Sequence, residues 1–313
     1  MTDERAVNTV IDVAFALLFV GVAITLLSGL LTTNEAEHDP LDADRTAGVV
    51  SSSTLNVTYS LEPAVDTAKP ELDRTPEDSM SRKDLIRISH GSIADQTGKV
   101  ALENLTIGTA EPNRLTATRA SHQRALDERV QSRLVGSQFE TSVTAEWKPY
   151  DAAPIWGTAT VGADPPPNKA ISSAVISIPS GVEPVRDEAI AVANEGGDYD
   201  EIAQLVAVAV IENYLPELES KRALERSGVG RTLTLYRYQR MATILDEASF
   251  DSETMDDALG QNRADPTTAN SYLSSKLASQ ISADLQSRFD SPTEAARSIS
   301  TDEVTVTVRT WEP

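Results

Sequence analysis

The sequence predicts an α+β fold: an N-terminal transmembrane helix, then an extracytoplasmic domain whose helices pack on a mostly antiparallel sheet. Three observations carry this reading. Residues 13–33 contain no charged side chain. Between residues 139 and 179, three short stretches alternate apolar and polar residues across brief connections, the mark of antiparallel strands. The C-terminal half is dominated by apolar residues at helical spacing and closes on one more alternating stretch.

The uncharged run comes first. About 21 residues at 1.5 Å each reach about 30 Å, the thickness of a bilayer core. A secretory h-region is shorter, about 7–15 residues, and ends at a small-x-small cleavage site. The end of this run, Leu27-Ser28-Gly29-Leu30-Leu31, offers none. Residues 7–33 are therefore expected to remain as a membrane helix behind a leader at 1–6. Arg5 on the short flank places the N-terminus inside and the domain outside a single-pass cell membrane protein. Asp12 is an intramembrane charge. It either sits in the headgroup zone or pairs with a positive group on a neighbouring subunit.

Residues 34–48 (NEAEHDPLDADRTAG) are charged and interrupted by Pro40, and read as an acidic linker. The domain then spans 49–313. Leu55, Val57, Tyr59 and Leu61 alternate with polar residues as a half-buried strand. Pro63, Pro70 and Pro76 among charges make 62–82 a loop. A short amphipathic helix follows over 89–103, then Leu105-Thr106-Ile107, then a charged helix over 115–135. Phe139, Thr141, Val143, Ala145 and Trp147 lie on one face of a strand, with two shorter strands near 155–162 and 173–179. Pro165-Pro166-Pro167 turns the chain between them. Ile202, Leu205, Val206, Ala209, Val210 and Ile211 form a buried helix. Gly228 and Gly230 punctuate the connection to a helix at 231–247, and an acidic loop follows. Leu273, Leu277, Ile281, Leu285 and Phe289 make a stripe that must pack on another element. Val304, Val306 and Val308 end the chain on a strand.

Charge narrows the functional classes. With 27 Lys+Arg against 48 Asp+Glu, the formal net charge is −21. Such a surface repels nucleic acid, whose binding needs cations to displace counterions. The cations themselves are 7 Lys and 20 Arg. An acidic, lysine-poor and aromatic-poor chain suits molar salt, where the Debye length is about 3 Å and carboxylate repulsion is screened. A halophilic source is expected. The absence of Cys excludes disulfides, thiolate metal sites and cysteine nucleophiles.

No motif points to catalysis. His38, His90 and His122 lack metal-ligand spacing and read as solvated or capping residues. Gly228-Val229-Gly230-Arg231-Thr232 lacks the Gly-Lys-Ser/Thr of a phosphate loop. Asp251 to Asp257 places Met255 where a calcium loop needs oxygen. Asp198-Tyr199-Asp200-Glu201 fits a helix N-terminus, where acids complement the dipole. No Gly-x-Ser-x-Gly occurs. No catalytic, cofactor or metal residue is assigned, and the chain is read as a non-enzyme. Two sequons, at Asn56 and Asn104, are candidate glycosylation sites, Asn56 the better because it points off the apolar face of its strand. Trp147, Tyr150 and Trp156 read as core aromatics, with an exposed patch as the alternative.

Arg5-Ala6-Val7-Asn8-Thr9-Val10-Ile11-Asp12-Val13 resembles the start of haloarchaeal type IV pilin-like proteins, in which Arg-Ala-Val-Ser-Pro-Val-Ile-Gly-Val precedes a hydrophobic stalk. Asn8, Thr9 and Asp12 stand where that pattern has Ser, Pro and Gly. The resemblance implies a class III signal cut on the cytoplasmic side between Ala6 and Val7, which leaves the stalk on the mature chain. SHGSIADQTGKVALENLTI, WKPYDAAPIWGTATVGADPPP and DSPTEAARSISTDEVTVTVRTWEP resemble a haloarchaeal membrane-anchored protein family with no assigned activity. Together they imply a cell-envelope protein whose partners are the lipid bilayer and other envelope or pilus-like subunits. It would be a structural or accessory subunit of a pilus-like or secretion assembly. A monomeric anchored binding or sensing domain is the alternative, and an anchored hydrolase the third.

Overall fold

The computed structural model describes residues 43–71, 82–108, 113–115, 119–134, 139–245 and 252–313. The expected leader, stalk helix, Asp12 and first part of the linker lie outside the described residues. No helix among the described residues is long and apolar enough to cross a membrane. Residues 43–313 form one unit, and its class is α+β, helices with an antiparallel sheet.

The unit begins inside the stretch expected to be linker. Helix α1 (Ala43–Ser52) buries Ala43, Ala47 and Val50, three or four residues apart. That small apolar stripe outweighs the surrounding charge, so the linker ends earlier than expected. Strand β1 (Thr54–Ser60) follows as expected. The Pro-rich stretch after it corrects another expectation: Glu62–Glu71 is helix α2, burying Ala64, Val65 and Ala68. Pro63 sits in its first turn, where a missing N–H costs nothing.

A 3₁₀ turn (Arg82–Leu85) leads into strand β2 (Ile86–Ser92), which pairs antiparallel with β1. The helix expected from 89 therefore starts at Ile93, as α3 (Ile93–Glu103). Ser92 caps it reciprocally: Asp95 N–H donates to Ser92 Oγ while Ser92 N–H donates to the Asp95 carboxylate. The cap marks the point where the period changes from two to 3.6.

The main sheet holds β3 (Thr106–Ile107), β4 (Asn113–Arg114), β5 (Glu140–Trp147), β6 (Ile155–Gly162), β7 (Ser172–Pro179) and β8 (Glu303–Trp311), in the order β4-β3-β6-β5-β8-β7. All neighbours are antiparallel. Strand β8 lies between β5 and β7, one strand in from the β7 edge. One face carries Val143, Ala145 and Trp147, Ala159 and Val161, and Val304, Val306 and Val308, all buried. Helices α1, α3 and α4 (Arg119–Leu134) pack on it. The other face is rich in threonine and serine: Thr144, Thr158, Thr160, Thr305, Thr307, Ser173 and Ser177. Gly157 permits the closest approach, since a Cβ there would overlap the Ala101 carbonyl of α3.

Strand β6 outruns its neighbour β3, which pairs only with Ile155 and Trp156. Side chains finish the edge. Asn104 Nδ2 donates to Thr158 O at 2.8 Å, Gln123 Nε2 to Thr160 O at 3.0 Å, and Gly162 N–H to Asp127 Oδ1 at 2.8 Å. Gln123 and Asp127 are one helical step of four apart on α4, about 6 Å. That step matches the two-residue repeat of a strand, about 6.7 Å.

Helices α5 (Arg186–Asn194), α6 (Tyr199–Tyr214), α7 (Glu217–Leu224), α8 (Val229–Leu245), α9 (Ser252–Ala258), α10 (Pro266–Arg288) and α11 (Pro292–Ser298) form the remainder. Asp198 caps α6 in a reciprocal box with Glu201, in line with its expected place at a helix start. The stripe Leu273, Leu277, Ile281, Leu285 of α10 is buried, with α10 packed on α6. Part of the expected acidic loop is helical, as α9. Gly228 alone punctuates the turn before α8, at φ +102°, while Gly230 lies inside the helix. Thr301 ties the layers together: its carbonyl accepts from Trp147 Nε1 and Ser180 Oγ, both at 2.8 Å, and its hydroxyl donates to Glu183 O.

Candidate functional site

The densest group of chemically capable side chains gathers where β1, α3, α4, α6 and α8 meet. His122 comes from the first turn of α4 and is 1% exposed, so the expectation of a solvated or capping histidine is corrected. The apolar neighbours Leu126 and Val130 put this face of the charged helix inward and carry His122 with them. Its Nδ1 lies 2.8 Å from Glu103 Oε2 at the end of α3. A carboxylate only accepts, so Nδ1 carries the hydrogen. Nε2 is buried without a hydrogen-bond partner.

Tyr59 covers the other side of the ring. The Tyr59 and His122 centroids are 4.2 Å apart with planes 11° from parallel. Burial pushes the Tyr59 hydroxyl up to about 12, helped by the Glu103 charge and opposed by Arg87 and Arg237. Arg237 of α8 stands 5.7 Å over the ring of Tyr214, whose hydroxyl donates to Leu115 O at 2.8 Å. Burial holds that tyrosine well above the usual range too. The group is a carboxylate–imidazole pair inside an aromatic and cationic shell. It can hold or move a proton, but its Nε2 is closed off from solvent.

A second place is open. Helices α6, α7 and α10 border a cleft of about 200 Å³ lined by Glu212, Glu217, Thr267, Asn270 and Ser274 over Val208 and Ile211. Tyr238 donates to Asn270 Oδ1 at 2.7 Å, and Asn270 Nδ2 donates to Leu215 O at 2.9 Å and Glu212 Oε2 at 3.3 Å. Glu212 Oε1 accepts from Glu217 N–H, and Glu217 Oε1 from Thr267. Two carboxylates over an apolar floor suit a small cation with a short apolar stem.

The residues singled out from sequence are scattered. Asn56 is exposed on the outer face of β1, its Oδ1 2.6 Å from His90 Nδ1 on β2. Asn104 is only 4% exposed, with Nδ2, the atom that would carry a glycan, committed to the edge of β6. Trp147 and Tyr150 are buried as expected, while Trp156 is partly buried, its Nε1 donating to Gly108 O at 3.4 Å. Ala6, Val7 and Asp12 lie outside the described residues, as does His38. Among the described residues no group of three or more metal-ligating side chains comes together. Sequence reading missed the Glu103–His122 pair because its members are 19 positions apart on two helices. The only available signal was an apolar face on an otherwise charged helix.

A family described as a family of unknown function, DUF7284, matches residues 11–311. No curated protein matches the chain, and no solved structure does.

Proposed function

The chain belongs to this family of unknown function, and from that premise we propose a membrane-anchored cell-envelope protein. It acts as a structural or accessory subunit of a pilus-like or secretion assembly, facing outward in a halophile. The single observation that carries the reading is the uncharged run at 13–33, long enough to span a bilayer and preceded by a pilin-like Arg5-Ala6-Val7. The fold offers support of a different kind. His122, paired with Glu103, is buried at 1% exposure, which suits a scaffold better than a turnover site.

The test is the mass of the protein recovered from membrane fractions. A chain beginning at Val7, co-purifying with larger assemblies, is the expected result. A chain retaining Met1, in membranes but monodisperse, would favour an anchored binding or sensing domain. The open cleft at Glu212 and Glu217 favours that second reading. Titration with small alkylammonium ions would then shift the backbone amide resonances of α6 and α10.

A further inference from the structure

We propose that two copies of this chain pair edge to edge through β7, in antiparallel register centred on Val175, forming one continuous sheet. Ser180 N–H donates to Asp302 O at 2.8 Å, which extends the β7–β8 register by one pair. In an antiparallel ladder, hydrogen-bonded pairs alternate with non-bonded ones. The even-numbered residues of β7 therefore face β8, and Ser173, Val175 and Ser177 direct N–H and C=O away from it. β7 is the last strand of the sheet, and these three residues are exposed. Pro179 is also odd, so its missing N–H falls on the outer side, at the end of the strand, where it interrupts nothing.

Charge selects the occupant. A protein of net charge −21 meets its own copy with least repulsion where acids are absent. From Ala170 to Val182 no residue is charged. Natural edge strands are usually protected by lysine, proline or a bulge within the strand. The other flank of the sheet is guarded by Asn104, Gln123 and Asp127, whereas β7 has no charged residue. Antiparallel pairing about Val175 sets Val175 against its own copy and Ser173 against Ser177. The valine, 66% exposed, would be covered between two polar pairs. About six backbone hydrogen bonds result, and α1 of both copies lies on the same side of the joined sheet.

The pairing names a partner for the proposed subunit. A failure of pairing would leave the anchoring reading intact, because anchoring is measured by fractionation. The chain has no native cysteine, so single thiols report position cleanly. Full-length Val175→Cys, in membranes or detergent at molar salt, is expected to form a covalent dimer on mild oxidation. Ser177→Cys alone is expected to cross-link at least tenfold less, but to do so with Ser173→Cys in a mixed sample. Val208→Cys on α6 serves as a surface control. Val175→Lys should convert dimer to monomer with an unchanged circular dichroism spectrum. A monomeric wild-type chain in which Val175→Cys cross-links no better than Val208→Cys overturns the proposal. So does a monomer in which Val175→Cys joins a cysteine placed in 34–42, which would show the edge covered by the chain itself.

Discussion

His122 and Tyr59 stack face to face, 4.2 Å between centroids, although one belongs to a helix and the other to a strand. The contact fixes the ring plane, and Glu103 fixes the tautomer through Nδ1. Removing the carboxylate would leave a buried N–H without an acceptor, at a cost of about 1–3 kcal/mol. Glu103→Ala is expected to lower the urea midpoint accordingly, whereas Glu103→Gln, which still accepts, is expected to lose less than half as much.

The completed edge of β6 makes a second prediction. Asp127→Ala strips the acceptor from Gly162 N–H, and Gln123→Ala strips the donor from Thr160 O. Each is expected to cost about 1 kcal/mol. The double variant should expose the edge and raise the aggregation rate on concentration, read by light scattering.

Close approach of helix and sheet is tested at Gly157. A methyl there collides with the Ala101 carbonyl, which is backbone and cannot swing aside. Gly157→Ala is expected to destabilise by about 1–3 kcal/mol, measured as a fall in Tm at constant salt.

Alkaline pH acts through buried tyrosines. Burial raises Tyr59 and Tyr238 to about 12, and raises Tyr150 and Tyr214 further. In the unfolded chain each titrates near its ordinary value, about 10. Between those limits the folded state binds more protons than the unfolded one, so stability falls as pH rises from 10 through 12. Below 10 both states are protonated and the term is constant. Absorbance at 295 nm should show these four tyrosines ionising late and together with loss of near-ultraviolet dichroism. Ionisation near 10 while the fold persists would contradict their burial.

Salt dependence follows from the net charge of −21. Raising KCl from 0.1 to 2 M shortens the Debye length from about 10 Å to under about 3 Å. Tm is expected to rise by tens of degrees over that range. A flat response would exclude the halophilic reading.

The elements legible in the sequence were those whose period was clean. β5, β6 and β8 appeared as alternation, and α6 and α10 as apolar stripes, because each buries a face along its length; β7 alternates too, although of its residues only Ala174 is buried. Where period and composition disagreed, composition misled. The prolines of 62–82 concealed α2, and the charges before residue 49 concealed the buried stripe of α1. Both helices are stabilised by what they pack against, which local propensity does not record.

The sequence by itself determined the class, the acidic surface, the absence of thiol chemistry and the uncharged run at 13–33. Composition and periodicity are properties of the chain, and no folding is needed to read them. Only the tertiary structure decided that β8 lies between β5 and β7, that His122 meets Glu103 beside Tyr59, and that Asn104 is buried while Asn56 is open. Those outcomes depend on which distant surfaces come into contact. The outward side of β7 was decided the same way: an uncharged strand becomes an edge only when its single neighbour, β8, arrives from the other end of the chain.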